Sequence, residues 1–351
     1  MQKKPVKKSS SSGGRFIVIL LLVAIIIAVS ICLWRGCSDS SPQVPEIPQE
    51  EKKAEPPPPP KVYKYRKPSE NPRFGEQFIY RNAVAGNIPN LPLSQKAGSG
   101  ILVDLNTREV LWQKNAASGV PIASMTKMMT LLLTFEQLEE REGLTLDTPI
   151  KVSVAAYKIG GSQVYLDPRE TFSLGELMKS VAIKSANDSA YLIAEYLNDQ
   201  DIPGFAARMN RRAAELNMPG TRFVNPYGLP NNAGENSISS AEGMAILAEH
   251  LLEYPKLLEW TSTVRAPFRE PGSPNWQDMT NTNKLVRDCP GVDGMKTGYI
   301  GKSGFCLTAT CLRGGRRLVG VVTGFDTSAN RDKFMRQLLD WGYQRAAELQ
   351  Q

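Results

Sequence analysis

Residues 121–130 read Pro121-Ile122-Ala123-Ser124-Met125-Thr126-Lys127-Met128-Met129-Thr130, and the rest of the chain is organised around them. Because residues at i and i+3 share one face of a helix, a helix beginning near Ser124 would bring its hydroxyl to the amine of Lys127. A serine hydroxyl needs an adjacent base, and a lysine can be that base when burial or a nearby cation lowers its pKa. Backbone N–H groups at the helix start would also stabilise an oxyanion. The pattern therefore suggests acyl transfer.

A Ser-x-x-Lys pair alone is weak evidence, because chance produces it in many chains, although this is its only occurrence here. Two later segments supply companions: Ser185-Ala186-Asn187 between two apolar helical stretches, and Lys296-Thr297-Gly298 before a predicted hairpin. Each is ordinary by itself, since Ser185 and Asn187 would serve as helix caps and Lys-Thr-Gly as a solvated strand edge. In the order Ser-x-x-Lys, Ser-x-Asn, Lys-Thr-Gly, the three motifs together are a strong signal.

The pattern of secondary structure around these motifs predicts an α+β fold. Residues 100–104 and 109–112 form a predicted hairpin, and residues 305–312 and 317–323 form a second one around Gly314-Gly315. Between them lie helices, two of which begin with predicted capping boxes, Ser173 with Glu176 and Ser239 with Glu242. A last amphipathic helix is predicted over about 329–349.

The N-terminal part of the chain predicts a membrane anchor. Residues 1–15 carry five basic residues and no acid, against a net charge of +7 for the whole chain, so the high charge belongs mostly to this tail and does not indicate nucleic-acid binding. Residues 16–34 are uncharged and long enough to cross a bilayer. A cleaved signal peptide is the alternative, but no Ala-x-Ala-like site follows. The positive-inside rule places the tail in the cytoplasm and the rest beyond the membrane.

Residues 35–93 are rich in Pro, Glu, Lys, Ser and Gln, and Pro56 to Pro60 form an unbroken run. Such a composition predicts a disordered, extended linker. The aromatic residues of its last third would allow that part to dock, on the domain itself among other surfaces. Residues 94–351 are predicted to form one catalytic domain, large enough for a substantial core.

The cysteines and the single histidine do not predict a metal site. Cys306 and Cys311 are an odd number of residues apart on one predicted strand, so their side chains point to opposite faces and should not pair with each other. Their spacing relative to Cys289 and His250 matches no metal-binding pattern. We therefore expect buried free thiols, no metal and no cofactor.

The three motifs, with residues 121–127, 185–190, 221–229 and 293–298 around them, resemble the low-molecular-mass penicillin-binding proteins, the serine D-alanyl-D-alanine carboxypeptidase family. The resemblance covers roughly residues 97–345. It implies a β-lactamase-like fold, in which an antiparallel sheet flanked by helices adjoins a helical subdomain. It also implies hydrolysis of peptidoglycan stem peptides at the bacterial cytoplasmic membrane, on the periplasmic or outer side, and covalent inhibition by β-lactams.

The resemblance implies a role for each matching residue. Ser124 would be the acylated nucleophile, Lys127 its general base, and Ser185 a proton relay to the leaving amine. Substrate binding would fall to Asn187, Lys296, Thr297, Gly298, Tyr299 and Arg331. Among these, the backbone N–H of Tyr299 would join that of Ser124 in the oxyanion hole, and Arg331 would engage the substrate carboxylate; a solvated helix-start arginine is the alternative.

Four other functions remain to be weighed. A D,D-endopeptidase that cleaves cross-links would use the same residues, and the chain lacks the family's common C-terminal domain, so this alternative stays open. A class A β-lactamase would need a glutamate where Ala213 stands, and a Ser-His-Asp hydrolase would need a histidine other than the isolated His250. A non-catalytic wall-binding protein would not need an intact catalytic set. Two positions depart from the family pattern: Ile300 replaces a common threonine, and Tyr227 a common histidine.

Overall fold

A six-stranded sheet lies at the centre of the computed structural model, which describes residues 66–351. The spatial order is β1-β3-β2-β12-β11-β10, and every neighbouring pair is antiparallel except β1 and β3. Three further two-stranded ladders pair β4 with β7, β5 with β6, and β8 with β9. The strands are β1 (Val84–Ala85), β2 (Ser99–Asp104), β3 (Val110–Lys114), β4 (Val120–Pro121), β5 (Pro149–Lys151), β6 (Thr171–Ser173), β7 (Ile238–Ser239), β8 (Arg265–Phe268), β9 (Gln277–Thr280), β10 (Val292–Ile300), β11 (Gly304–Arg313) and β12 (Arg316–Phe325).

Most of the helices lie between β4 and β10 in the chain, which confirms the predicted α+β order. Short 3-10 helices occur at Pro68–Glu70, Pro92–Lys96 and Ala123–Thr126. The α-helices of the described residues are α1 (Lys127–Glu140), α2 (Val154–Tyr157), α3 (Leu174–Ile183), α4 (Asn187–Leu197), α5 (Ile202–Glu215), α6 (Ala241–Leu251), α7 (Pro255–Thr261), α8 (Leu285–Asp288) and α9 (Ser328–Glu348).

Both predicted hairpins are present. Strands β2 and β3 pair across the turn at 105–109, and β11 pairs with β12 across Gly314-Gly315. Both turn glycines have positive φ, 56° and 81°, which suits a tight two-residue hairpin turn. The capping box at Ser173 and Glu176 is confirmed as well.

The second predicted capping box is wrong by one residue. Ser240 caps α6, because its side chain accepts a hydrogen bond from the Gly243 N–H at 2.9 Å. Ser239 instead belongs to β7, and its hydroxyl is bonded to that of Thr221 at 2.7 Å. Because Ser239 pairs with β4, the N-cap position of α6 falls to the next serine, Ser240.

The sheet is covered on both faces. Helix α9 packs on one face, where Phe334 meets Trp112 edge-on at 5.5 Å and Phe325 at the same distance. Helix α6 packs on the other face together with the helical subdomain. Cys306 and Cys311 belong to the cores on opposite faces and are buried free thiols, which confirms that they do not pair with each other.

The predicted extent of the linker needs correction, because residues 66–93 pack on the domain. Strand β1 extends the sheet beside β3, and Phe78 is buried. The Ile79 N–H donates to the Arg108 carbonyl, and the Val110 N–H donates to the Ile79 carbonyl, both at 2.8 Å. An uncovered β3 edge would leave backbone groups unpaired, and this segment satisfies them. The high proline content of residues 35–93 as a whole predicted disorder, although the last third of this range contains the apolar residues that pack on the domain.

The predicted tail and anchor, residues 1–34, and the first part of the linker lie outside the described residues. Within residues 66–351, no helix combines the length and the apolar character that a membrane span requires.

We expect Phe334→Ala to lower the free energy of unfolding by about 3–5 kcal/mol, because it leaves a cavity between α9 and the sheet. Lys333→Ala, at the exposed neighbouring position, should change it by no more than about 0.5 kcal/mol. Chemical denaturation of both variants measures the difference. Equal small effects would mean that α9 does not pack on the sheet through Phe334.

Candidate active site

The serine and the lysine of the first motif lie on one turn. A 3-10 helix at Ala123–Thr126 leads directly into α1, so the regular α-helix begins at Lys127 and not at the predicted Ser124. Side chains three residues apart eclipse each other on a 3-10 turn. The Lys127 Nζ accordingly lies 3.0 Å from the Ser124 Oγ. Lys127 is completely buried, whereas Ser124 is partly exposed.

Two further oxygen atoms contact the amine of Lys127. Its Nζ lies 2.6 Å from the Asn187 Oδ1 and 2.5 Å from the Tyr227 carbonyl oxygen. Burial lowers the pKa of Lys127 well below its usual range; the charge of Lys296 lowers it further, and that of Asp188 opposes the shift. Burial and the neighbouring cation therefore favour the neutral form of the amine.

Asn187, the first residue of α4, is held by the loop at 158–167. Its backbone N–H donates to the Ser162 carbonyl and its Nδ2 donates to the Gly160 carbonyl, both at 2.7 Å. With Nδ2 engaged in this way, Oδ1 points to Lys127. Ser185, two residues earlier, has φ of 66°, and its buried Oγ has no hydrogen-bond partner among the described residues. A positive φ at a non-glycine residue next to a catalytic motif is strain typical of functional sites.

The carbonyl of Tyr227 is a site group that sequence reasoning missed. Asn225 forms the turn that presents it: the Asn225 Oδ1 accepts hydrogen bonds from the N–H groups of Tyr227, at 3.1 Å, and Gly228, at 2.6 Å. Thr130 on α1 fixes the same turn by donating to the Pro226 carbonyl at 2.6 Å. Because the contact to Lys127 uses backbone, the departure from histidine at position 227 does not affect it. The 221–229 signature was the available signal, but it did not indicate a backbone ligand.

The third motif lies on β10, an edge strand of the sheet. Lys296 is buried, and its Nζ donates to the Thr297 carbonyl at 3.0 Å. Burial, followed by the charge of Arg331, lowers the pKa of Lys296 to about 7. The Thr297 Oγ1 donates to the Thr282 Oγ1 at 2.9 Å, a contact that the sequence did not indicate. Tyr299 is exposed and stacks on Phe305 with ring centroids 4.2 Å apart.

Gly298 allows β10 to approach the nucleophile turn. A Cβ at this position would lie 2.5 Å from the Ile122 carbonyl oxygen, two residues before Ser124. Any side chain here would push the third motif away from the first.

Arg331, near the start of α9, is buried and ion-paired. Its Nε and Nη2 donate to the Asp332 Oδ1 at 2.8 and 2.6 Å, and its Nη1 donates to the Cys306 carbonyl at 3.3 Å. Its charge lowers the pKa of Lys296. The alternative of a solvated helix-start arginine is therefore wrong.

The structure thus brings Ser124, Lys127 and Asn187 into direct contact, with Ser185 beside them in the chain. The charge of Lys296 lowers the pKa of Lys127, and the charge of Arg331 lowers that of Lys296. The profile of the D-alanyl-D-alanine carboxypeptidase family matches residues 86–327, more than half of the chain. The chain belongs to this family.

Curated relatives in the D-alanyl-D-alanine carboxypeptidase family agree with the assignment. DacF of Bacillus subtilis is 37% identical over 251 residues, which is 72% of this chain and 63% of that protein. DacD of Salmonella typhimurium is 30% identical over 269 residues, 74% of this chain and 66% of that protein. The chain therefore spans slightly less than two thirds of the length of these relatives.

Solved structures of penicillin-binding proteins share the fold. Penicillin-Binding Protein D2 from Listeria monocytogenes, in its ampicillin-bound form, has a TM-score of 0.62 and 27% identity, over 71% of this chain and 97% of that one. DacD from Francisella tularensis has a TM-score of 0.65 and 25% identity over 70% of each chain. The predicted sheet with flanking helices and a helical subdomain is confirmed.

We expect Gly228→Ala to disrupt the turn that carries the Tyr227 carbonyl. A Cβ at Gly228 would lie 2.1 Å from the Ala123 carbonyl oxygen, and its φ of 89° adds strain. We expect a loss of about 3 kcal/mol in the free energy of unfolding, the sum of overpacking and left-handed strain.

Gly234→Ala is the matched control. Gly234 also has a positive φ, 75°, but a Cβ there would meet nothing within 4 Å. Its cost should be the strain alone, about 1 kcal/mol. Denaturant unfolding of the two variants separates the contributions, and equal costs would show that the turn does not press on the nucleophile segment.

Proposed function

We propose that this chain removes the terminal D-alanine from peptidoglycan stem peptides that end in D-alanyl-D-alanine, through an acyl-Ser124 intermediate. The observation that carries the proposal is the buried amine of Lys127, 3.0 Å from a partly exposed serine hydroxyl. Family membership supports the reaction class. Because the chain spans slightly less than two thirds of the length of DacF and DacD, the activity is inferred from the site and from the family together.

The contacts of Lys127 suit a neutral amine that acts as a base. A neutral amine has two N–H donors and one lone pair, whereas a charged one has three donors and no lone pair. Its two N–H groups would bind the Asn187 Oδ1 and the Tyr227 carbonyl, which leaves the lone pair for the Ser124 hydroxyl. As Ser124 attacks the scissile carbonyl, its proton would move to the Lys127 Nζ.

The remaining steps use the other motifs. The backbone N–H groups of Ser124 and Tyr299 would stabilise the oxyanion. The Ser185 hydroxyl, which is not engaged by a described side chain or backbone group, would pass the proton from Lys127 to the departing amine of D-alanine. Water, deprotonated by Lys127, would then hydrolyse the acyl-serine and release the shortened peptide.

Substrate binding would use the positive charges beside the nucleophile. Lys296 and Arg331, with the Thr297 hydroxyl, would hold the terminal carboxylate, and Asn187 would hold the peptide amide. Since the pKa of Lys296 is about 7, a bound carboxylate would raise it and keep the ammonium charged. Gly298 would admit the substrate backbone beside β10.

β-Lactams would acylate Ser124 in the same way, and the ampicillin-bound Listeria protein supports this. We also propose that residues 16–34 anchor the chain in the bacterial cytoplasmic membrane, with residues 1–15 inside and the catalytic domain outside. The uncharged run of 16–34 and its basic flank support the anchor.

The proposal is tested with the full-length chain and a muropeptide mixture that contains pentapeptide monomers and cross-linked dimers. Mass spectrometry should show loss of one alanine from the monomers. Conversion of dimers to monomers would instead establish a D,D-endopeptidase, and unchanged muropeptides would indicate a binding protein.

We expect Ser124→Ala to abolish both alanine release and covalent labelling by a fluorescent penicillin, since no acyl bond can form. Ser118→Ala, a change at an exposed serine six residues earlier, should leave both unchanged. Labelling that survives in Ser124→Ala would overturn the assignment of the nucleophile. Circular dichroism of both variants checks that they are folded.

The pH dependence of acylation should shift in Lys296→Gln. The reaction needs neutral Lys127, so its rate falls as the pH drops through the pKa of that amine. Because Lys296 lowers this pKa, its removal should raise it and move the acidic half-maximum to higher pH. Lys302→Gln, an exposed change beyond β10, is the control. The pH of the acidic half-maximum is compared, and not the rate itself, because Lys296→Gln also weakens substrate binding at every pH. An unchanged half-maximum would contradict the effect of Lys296 on the pKa of Lys127.

A further inference from the structure

Most of the large exposed apolar side chains of the described residues lie in a few short segments of the chain. Residues 66–351 contain six large exposed ones, and five of them lie on the segments 154–165, 276 and 299; the sixth, Tyr80, lies in the segment packed beside β3. Tyr299 already belongs to the site. The other three rings of this group belong to Tyr157, Tyr165 and Trp276, which are 53%, 60% and 44% exposed. We call these three residues the aromatic rim. Clustered exposed apolar groups mark interaction sites more often than scattered ones do.

The buried guanidinium of Arg269 binds the backbone at Tyr165 and next to Trp276, two of the rim residues. The Arg269 Nη1 donates to the carbonyls of Val164 and Asn275, both at 2.9 Å, and the Arg269 Nη2 donates to that of Tyr165 at 2.8 Å. An ion pair with Glu170 holds the guanidinium in place. Tyr165 and Trp276, which follows Asn275, therefore stand on a rigid support, so little conformational entropy of the backbone is lost when a ligand binds.

The backbone around Tyr165 is also hydrogen-bonded to the start of α4. The carboxylate of Asp188, next to the site residue Asn187, accepts the N–H groups of Val164 and Leu166, each at 3.2 Å through Oδ2. These are the two residues that flank Tyr165. Tyr157 lies three residues before Gly160, whose carbonyl is bound by Asn187. The rim is thus held by the residues that orient the base of Ser124.

We propose that the aromatic rim binds sugar rings of the glycan strand that carries the stem peptide. The inference rests on the proposed function, which places the end of that peptide at Ser124. A pentapeptide spans at most about 17 Å when fully extended, so the sugar to which it is attached must lie within that reach of the nucleophile. Aromatic faces bind the C–H faces of sugars, while the sugar hydroxyls stay in contact with water and polar groups.

The composition between the rings favours a sugar over a membrane or a protein partner. The rings come from two segments, and exposed polar groups neighbour them in the chain: Asn275 directly precedes Trp276, and the Arg169 side chain, four residues after Tyr165, is 88% exposed in an ion pair with Asp167. The surface therefore offers separate flat faces with hydrogen-bonding groups and not a continuous apolar groove. An uncharged polyhydroxyl ring matches such a surface.

The experiment compares the full-length chain with its Tyr165→Ala/Trp276→Ala variant on two substrates. One is polymeric peptidoglycan with pentapeptide stems, and the other is a sugar-free pentapeptide ending in D-alanyl-D-alanine. We expect kcat/KM for D-alanine release to fall roughly tenfold on the polymer, about 1.4 kcal/mol, and to stay unchanged on the pentapeptide. Co-sedimentation with glycan strands stripped of their peptides should also weaken. Tyr80→Ala is the control and should alter none of the three readouts.

Three outcomes would overturn the inference. Equal losses on both substrates would place the rings in the peptide site or in the fold, and an unchanged rate on the polymer would leave them without a role. A loss on the polymer with full binding to stripped strands would show that the rim contacts peptide and not sugar. If the unmodified chain released no alanine from either substrate, the proposed function would fail, and binding to the stripped strands would still decide whether the rim recognises sugar.

Discussion

The site depends on keeping one amine out of water. Lys127 carries its Nζ into a buried space where the partners are the oxygens of Ser124, Asn187 and Tyr227. Burial supplies the largest part of the downward pKa shift, and Lys296 adds to it. Burial thus favours the neutral amine beside the Ser124 hydroxyl, which is the form that a general base requires.

Segments far apart in the chain must meet for this to happen. The start of α1 supplies the lysine, the start of α4 the amide, the turn at 225–229 a backbone carbonyl, and β10 the second cation. Close approach is secured by residues without side chains: Gly228 against Ala123, and Gly298 against Ile122. The helical subdomain and the sheet are therefore joined at the site itself, and packing errors in either would let water reach Lys127.

Much of this was predictable from local patterns. Turn glycines and alternating apolar residues gave both hairpins, and the order of three short motifs located Ser124, Lys127, Asn187 and Lys296 in one site. The rest depends on tertiary contacts that leave no residue-type signature. The carbonyl of Tyr227 is available in any residue, and Ser240 became the cap only because β7 recruited Ser239. Whether residues 66–93 would dock was left open, since the edge of β3 that they cover is visible only in the folded sheet.

The placement of β1 has a mechanical consequence. The segment at 66–93 joins the sheet at β1, whereas β10, which carries the third motif, is the opposite edge, five inter-strand spacings or about 24 Å away. Tension transmitted from upstream residues would first load the contacts of Ser69 with Glu253, of Asn71 with Leu105 and of Ile79 with its neighbours around β3. None of these contacts involves β10, β11 or the nucleophile turn. Strain that enters the domain at Ser69 would therefore be taken up at the β1 edge of the sheet before it reaches β10.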